Sequence, residues 1–183
     1  MFSILSNLRR SLGWNQNMSE QSNRRHVFIS HHHGDDEHVT KMTDMLKQGG
    51  YDIRNSSIRA KPANQRRLEK GLVSDRTIER LLRMKMSWAS TVIVLIGKET
   101  HGRPWVNWEI TQANRLGKRI IGVYARGGTE ADIPPAFERY GSDLVNWNTN
   151  SILAAIDGTR QGPFLDPDGN PRRPHSPPTN TTC

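Results

Sequence analysis

Apolar positions along this chain fall into short blocks of two kinds. HVFIS, around Val27–Ser30, is a β-rich run that gives way to polar residues. DEHVTKMTDMLKQGG follows, with Val39, Met42, Met45 and Leu46 at helical spacing. Asp35 or Asp36 can cap that helix and Gly49-Gly50 can stop it. YDIRNSS, from Tyr51, reads as a second short strand before the basic stretch RAKPANQRR. A helical pattern returns from Asp75 to Met86, with Ile78, Leu81, Leu82 and Met86 facing inward. TVIVLIG, Thr91 to Gly97, is continuously apolar, as expected of a central parallel strand covered on both faces. PWVNWEITQANRLG reads as a helix with Pro104 in its first turn and Gly117 at its end. KRIIGVYA is a fourth strand, DLVNWN a short fifth, and SILAAI a last helix.

Strands that alternate with helices imply βα units and a parallel sheet. The expectation is an α/β fold, flavodoxin-like, with about five parallel strands between helices. Ligands of such folds bind at the carboxyl ends of the strands. Here those ends are Ser30-His31-His32-His33, Asn55-Ser56-Ser57, Gly97-Lys98-Glu99-Thr100 and Arg126-Gly127-Gly128.

Composition then separates a core from its flanks. Hydrophobic residues are 34% of 183, a low share that polar flanks would explain. Residues 1–25 hold an amphipathic segment, with Phe2, Leu5, Leu8 and Leu12 near one face, then a polar linker. A short helix docking on the domain or a partner, or one lying on a membrane surface, fits that pattern. It lacks the apolar stretch and cleavage site of a signal peptide. Residues 26–156 form the expected domain. From Asp157 to Cys183 the chain is rich in Pro and Gly, and a disordered tail is expected. The single cysteine excludes an internal disulfide framework and a Cys-based zinc site. No apolar run is long enough to span a membrane.

The net charge of +8 raises the question of a nucleic-acid partner. Ten Lys and Arg residues between Arg54 and Lys85 face only Glu69, Asp75 and Glu79, a local excess of +7. That segment lacks aromatic residues for base stacking. A phosphate-bearing small molecule, an acidic partner or a solvated face accounts for the patch, and no nucleic acid is expected.

Candidate chemistry concentrates in Trp105-Val106-Asn107-Trp108-Glu109-Ile110. On a helix Trp105 and Glu109 share a face, which sets a carboxylate beside an indole just after the central strand. Such a carboxylate can stabilise a developing cation. The alternative is that both tryptophans pack as core and Glu109 is a solvated surface acid. The HHHGDDEH run, His31 to His38, resembles a metal cluster, but neighbouring histidines in extended chain point to opposite faces, and no metal is expected. A substrate-contacting loop is the better reading. Phosphate-loop, dinucleotide-fold and nucleophile-elbow signatures are absent. The third strand ends in Ile96-Gly97-Lys98, without the acid a phosphoacceptor needs.

Two blocks carry a family resemblance. They are HVFISHHHGDDEHV and SWASTVIVLIGKETHGRPWVNWEITQANRLGKRIIGVY, the latter from Ser87 to Tyr124. Their V-L-I-G-K-x-T, W-V-x-x-E-I and G-K-x-I-I-G-V patterns resemble the TIR-like domain of bacterial Thoeris anti-phage systems, the ThsB type. The resemblance implies a TIR fold over residues 26–156 and cleavage of NAD+ at its nicotinamide–ribose bond. NAD+ is then a substrate and no cofactor is needed. Such a protein responds to a phage-derived trigger, self-associates, and makes an ADP-ribose-derived messenger, often cyclic. A separate effector binds that messenger. A cytoplasmic location is expected.

Enzymatic TIR domains carry a Trp four residues before the catalytic Glu, which maps the roles onto Trp105 and Glu109. Phe28, Ser30, His31, Ser56, Arg59 and Trp105 become the candidate substrate contacts, with Arg59 and Lys61 toward the pyrophosphate. Many relatives have a small hydroxyl residue where this chain has Arg103, and its first loop is unusually rich in histidine. A non-catalytic TIR assembly module and a nucleoside N-glycosidic enzyme of the deoxyribosyltransferase kind are the alternatives.

Overall fold

Six consecutive buried residues, Thr91–Ile96, form the central strand β3 of the computed structural model, which describes residues 26–32, 35–55 and 74–172. Its neighbours are β1 (His26–Ser30) on one side and β4 (Arg119–Tyr124) on the other. β2 (Asp52–Asn55) pairs with β1, and β5 (Asp143–Val145) pairs with β4. Every pairing is parallel, and the order is β2-β1-β3-β4-β5. This is the expected five-stranded flavodoxin-like sheet. The chain leaves β1 in one direction and β3 in the other, so the strand order reverses between them.

Helices cover both faces because alternate strand residues point both ways. α1 (Asp36–Gln48) and α5 (Thr149–Asp157) pack on Val27, Ile29, Ile93, Leu95, Ile121 and Val123. α2 (Asp75–Trp88), α3 (Pro104–Arg115) and α4 (Pro135–Tyr140) cover Phe28, Val92, Val94, Ile96 and Ile120. The helix ends follow local chemistry. Ser74 accepts the Thr77 N–H at the start of α2, and Asn148 accepts the Ser151 N–H at the start of α5. Asp35 occupies the cap position of α1, yet its side chain makes no capping hydrogen bond.

The expected disordered tail from Asp157 is corrected over residues 157–172. That segment folds back on the domain. Leu165 donates its N–H to the Leu144 carbonyl and packs beside the α1/α5 core. Phe164 meets Phe137 with ring centroids 6.3 Å apart. Arg172 closes the segment, with a bidentate pair to Glu138 (2.6 and 3.1 Å) and a third bond to Glu130 (2.9 Å). Two well-placed apolar side chains and a fork of charged hydrogen bonds thus offset the ordering cost that composition alone suggests. The amphipathic segment at residues 1–25 and the tail beyond residue 172 lie outside the described residues.

The Arg172 side chain is only 6% exposed while both acids are partly solvated. Arg172→Ala is therefore expected to cost about 2 kcal/mol, since hydrogen bonds to charged groups are the strong ones and both acids rehydrate. Thermal unfolding is the check, with a drop of roughly 5 °C expected.

Candidate functional site

β1 and α3 bring the central pair together. Phe28 and Ser30 are two apart on β1, so both point to the face that α3 covers. α3 turns Val106, Ile110 and Ala113 into the core, and Glu109 sits between them on the same inward side. The Ser30 hydroxyl donates a hydrogen bond to Glu109 Oε2. Glu109 is 3% exposed and Ser30 is fully buried. The picture of Glu109 as a solvated surface acid is thereby overturned. The pair lies at the carboxyl end of β1, next to β3, where the strand order reverses.

The loop from β3 to α3 is braced to hold α3 in place. Thr100 Oγ1 donates to the Gly97 carbonyl (2.8 Å) and accepts the Gly97 N–H (2.9 Å). Glu99 has a φ of 61°, the one left-handed non-glycine among the described residues. Its N–H donates to Asp132 (2.7 Å) and its carboxylate takes the Arg103 guanidinium (2.6 Å). Asn107 ties the first turn of α3 back to the His101 and Arg103 carbonyls, and its Oδ1 accepts the Ala136 N–H at 3.0 Å. Pro104 starts the helix without needing an N–H partner.

Asp35, which the pattern of the sequence reduces to a helix cap, lies against the end of β3. It is 9% exposed, and a Cβ at Gly97 would stand 2.3 Å from its Oδ1. The absence of a side chain at position 97 is what admits this carboxylate against the end of β3. Asp35 Oδ2 has no partner among the described residues. Burial pushes its pKa up, with nearby His38 acting in the other direction.

The remaining candidates separate. Trp105 and Trp108 are half-buried, pack against the α2/α3/α4 core and meet edge to face at 5.5 Å. Trp105 thus keeps exposed surface on the helix that carries Glu109. His31 is 8% exposed, with Nε2 3.5 Å from Asp36 and Nδ1 3.5 Å from the Ile29 carbonyl. Phe28 is fully buried in the hydrophobic core, two residues before Ser30 on the same face of β1. Ser56, Arg59 and Lys61 lie outside the described residues. At the near end of the basic stretch, the Arg54 guanidinium lies 4.1 Å over Trp88. Among the described residues no cluster of His, Cys, Asp and Glu is arranged to hold a metal ion, and no helix is long and apolar enough to cross a membrane.

No curated protein matches the chain. Solved structures that align with the chain include three at low identity. The TIR domains of the activated Roq1 resistosome, which directly recognises the pathogen effector XopQ, align at 15% identity and a TM-score of 0.39. That alignment covers 55% of this chain and 57% of the other. The CMP N-glycosidase BcmB of Clostridium botulinum aligns at 15% identity and a TM-score of 0.44, over 73% of this chain and 98% of that one. A prokaryotic SEFIR domain aligns at 17% identity and a TM-score of 0.42, over 82% and 99%. Residues 28–130, more than half of the chain, match the family described as "Thoeris protein ThsB, TIR-like domain". That span runs from the middle of β1 through α3 to the loop after β4 and includes both Ser30 and Glu109, so the chain belongs to the Thoeris ThsB TIR-like domain family.

Proposed function

We propose that this protein cleaves NAD+ at the nicotinamide–ribose bond and converts the ADP-ribose part into a messenger, cyclic in form, that activates a separate Thoeris effector. The observation that carries the reading is the buried Glu109 carboxylate, held by Ser30 at the reversal point of the sheet. As the bond from the ribose anomeric carbon breaks, its electron pair goes to the ring nitrogen. Nicotinamide leaves as a neutral molecule and needs no general acid. The ribose becomes oxocarbenium-like, as in glycoside cleavage. One fixed carboxylate in a water-poor site stabilises that charge. An adenine nitrogen of the same molecule, or water, then takes the anomeric carbon. Trp105 offers an aromatic face to a base, and His31 and Arg59 are the proposed polar contacts.

Glu109 and Ser30 are almost fully covered in the single chain. This supports a resting state that opens when protomers associate after a phage-derived trigger, so that a population shift switches the enzyme. Activity is then cytoplasmic, where NAD+ and the other Thoeris components meet.

The test incubates the purified full chain with NAD+, alone and with lysate of phage-infected cells, and follows nicotinamide and nucleotide products by mass spectrometry. Glu109-dependent nicotinamide release in either condition is the expected result. Its absence in both overturns the proposal. Turnover of nucleosides without turnover of NAD+ selects the N-glycosidic alternative.

A further inference from the structure

A concave site lies away from the Ser30–Glu109 pair. It is a cavity of about 540 Å³ at the carboxyl ends of β4 and β5, and neither Glu109, Ser30 nor Trp105 lines it. Its volume falls in the range of small-molecule sites, about 300–1,000 Å³. α1 contributes His38 and Lys41, the turn after β4 contributes Arg126, Gly127 and Gly128, and the chain after β5 contributes Trp147. The folded-back tail completes it with Asp168. A site assembled from four separate stretches of chain is poorly explained as a surface dimple.

Its chemistry is of three kinds. Trp147 is a flat apolar surface that remains 36% exposed although His38 holds it edge to face at 5.6 Å. Lys41 and Arg126 bring two cations. Lys41 pairs with Glu37 at 2.7 Å but stays well exposed, and Arg126 makes no ion pair among the described residues. Asp168 adds one carboxylate beside them.

The turn is built for close approach. His38 Nε2 accepts the Arg126 N–H at 3.2 Å, and Gly128 closes the turn on the Ala125 carbonyl at 3.0 Å. Gly127 has a φ of +81°, and a Cβ at Gly128 would stand 2.0 Å from the Ile96 carbonyl oxygen. A backbone without side chains therefore borders the cations.

We propose that this cavity binds a nucleoside phosphate, separately from the Glu109 site. The base stacks on Trp147, the ribose hydroxyls donate to Asp168, and the phosphate meets Lys41 and Arg126 along the glycine turn. Aromatic stacking accepts any base, whereas the carboxylate and the paired cations select the ribose and the phosphate.

The full chain carrying Glu109→Gln is titrated with AMP in a calorimeter, with adenosine and inorganic phosphate as fragments. The substitution removes turnover, so binding is read whether or not the chain cleaves NAD+. One AMP per chain is expected. Trp147→Ala weakens AMP binding about tenfold or more, and Trp147→Phe retains most of it. Lys41→Ala with Arg126→Ala weakens AMP and phosphate but leaves adenosine unchanged. Trp105→Ala leaves all three unchanged. The proposal is overturned by no AMP binding at millimolar concentration. It is equally overturned by AMP binding that survives Trp147→Ala, or that is lost in Trp105→Ala instead.

Discussion

Glu109→Gln is expected to lower nicotinamide release from NAD+ by a factor of about 100 to 1,000, with little change in KM. The factor is that of removing one preorganised group aimed at the charge of a transition state. The effect falls on kcat because the ribose carries its positive charge only as the bond to nicotinamide breaks. Gln has nearly the same shape, and its amide oxygen can still accept the Ser30 hydroxyl, so the fold is expected to hold. Unfolding measured beside the assay separates lost chemistry from lost structure. Ser30→Ala is a milder case. It leaves the carboxylate in place but removes the hydroxyl that positions it. About a tenfold fall in kcat is expected, because a misplaced group retains its charge but loses its aim. That outcome would make Ser30 a positioning residue. Full activity in Glu109→Gln would sink the assignment of the carboxylate.

Much of this arrangement is legible along the chain because burial on two faces leaves a strong mark. Thr91–Ile96 has no polar face to hide, and it is the fully buried middle strand. Val39, Met42 and Leu46 keep helical period because only one side of α1 meets the sheet. The short helix α4 is a different matter. It has six residues, begins between Pro134 and Pro135, and buries only Phe137, too little to set up a period. The tail misleads for a related reason. Its order rests on Phe164, Leu165 and Arg172 meeting partners far away in sequence, and composition averages over such placements.

The site shows the same division. The spacing of Trp105 and Glu109 reveals a shared helix face, but not how deeply that face is set. Depth comes from the crossing of α3 over β1, which buries Glu109 and leaves Trp105 half-exposed. Phe28 shares its parity with Ser30, and only the end of the strand decides which of the two borders the site. Asp35 is visible as an acid before a helix. Its contact with Gly97 joins residues 62 positions apart, and no local pattern carries that information.

Arg160→Ala is expected to destabilise the fold by about 3 kcal/mol near neutral pH, at the lower end of what breaking a buried ion pair costs. Arg160 belongs to the segment that composition assigns to a disordered tail, yet its guanidinium reaches Asp143 at 2.6 Å and the Pro163 carbonyl at 2.6 Å. Asp143 begins β5, and its side chain is 6% exposed. Without Arg160 it keeps the Leu144 N–H at 2.9 Å and Arg119 at 3.9 Å, which is too little for a buried charge. Burial already raises the Asp143 pKa above its usual value, with Arg160 as the main opposing influence. A carboxyl whose pKa is raised on folding contributes stability that is fully present below its unfolded pKa and is lost as pH rises through the folded one. Removing Arg160 moves the folded value further up and deepens that loss at neutral pH. Urea unfolding should therefore show a large deficit near neutral pH that shrinks as the solution is acidified toward the carboxyl range. Arg160→Lys restores the charge without the second hydrogen bond and recovers part of the loss. A deficit that stays constant with pH would mean that Arg160 acts through packing of the tail and not through the Asp143 charge.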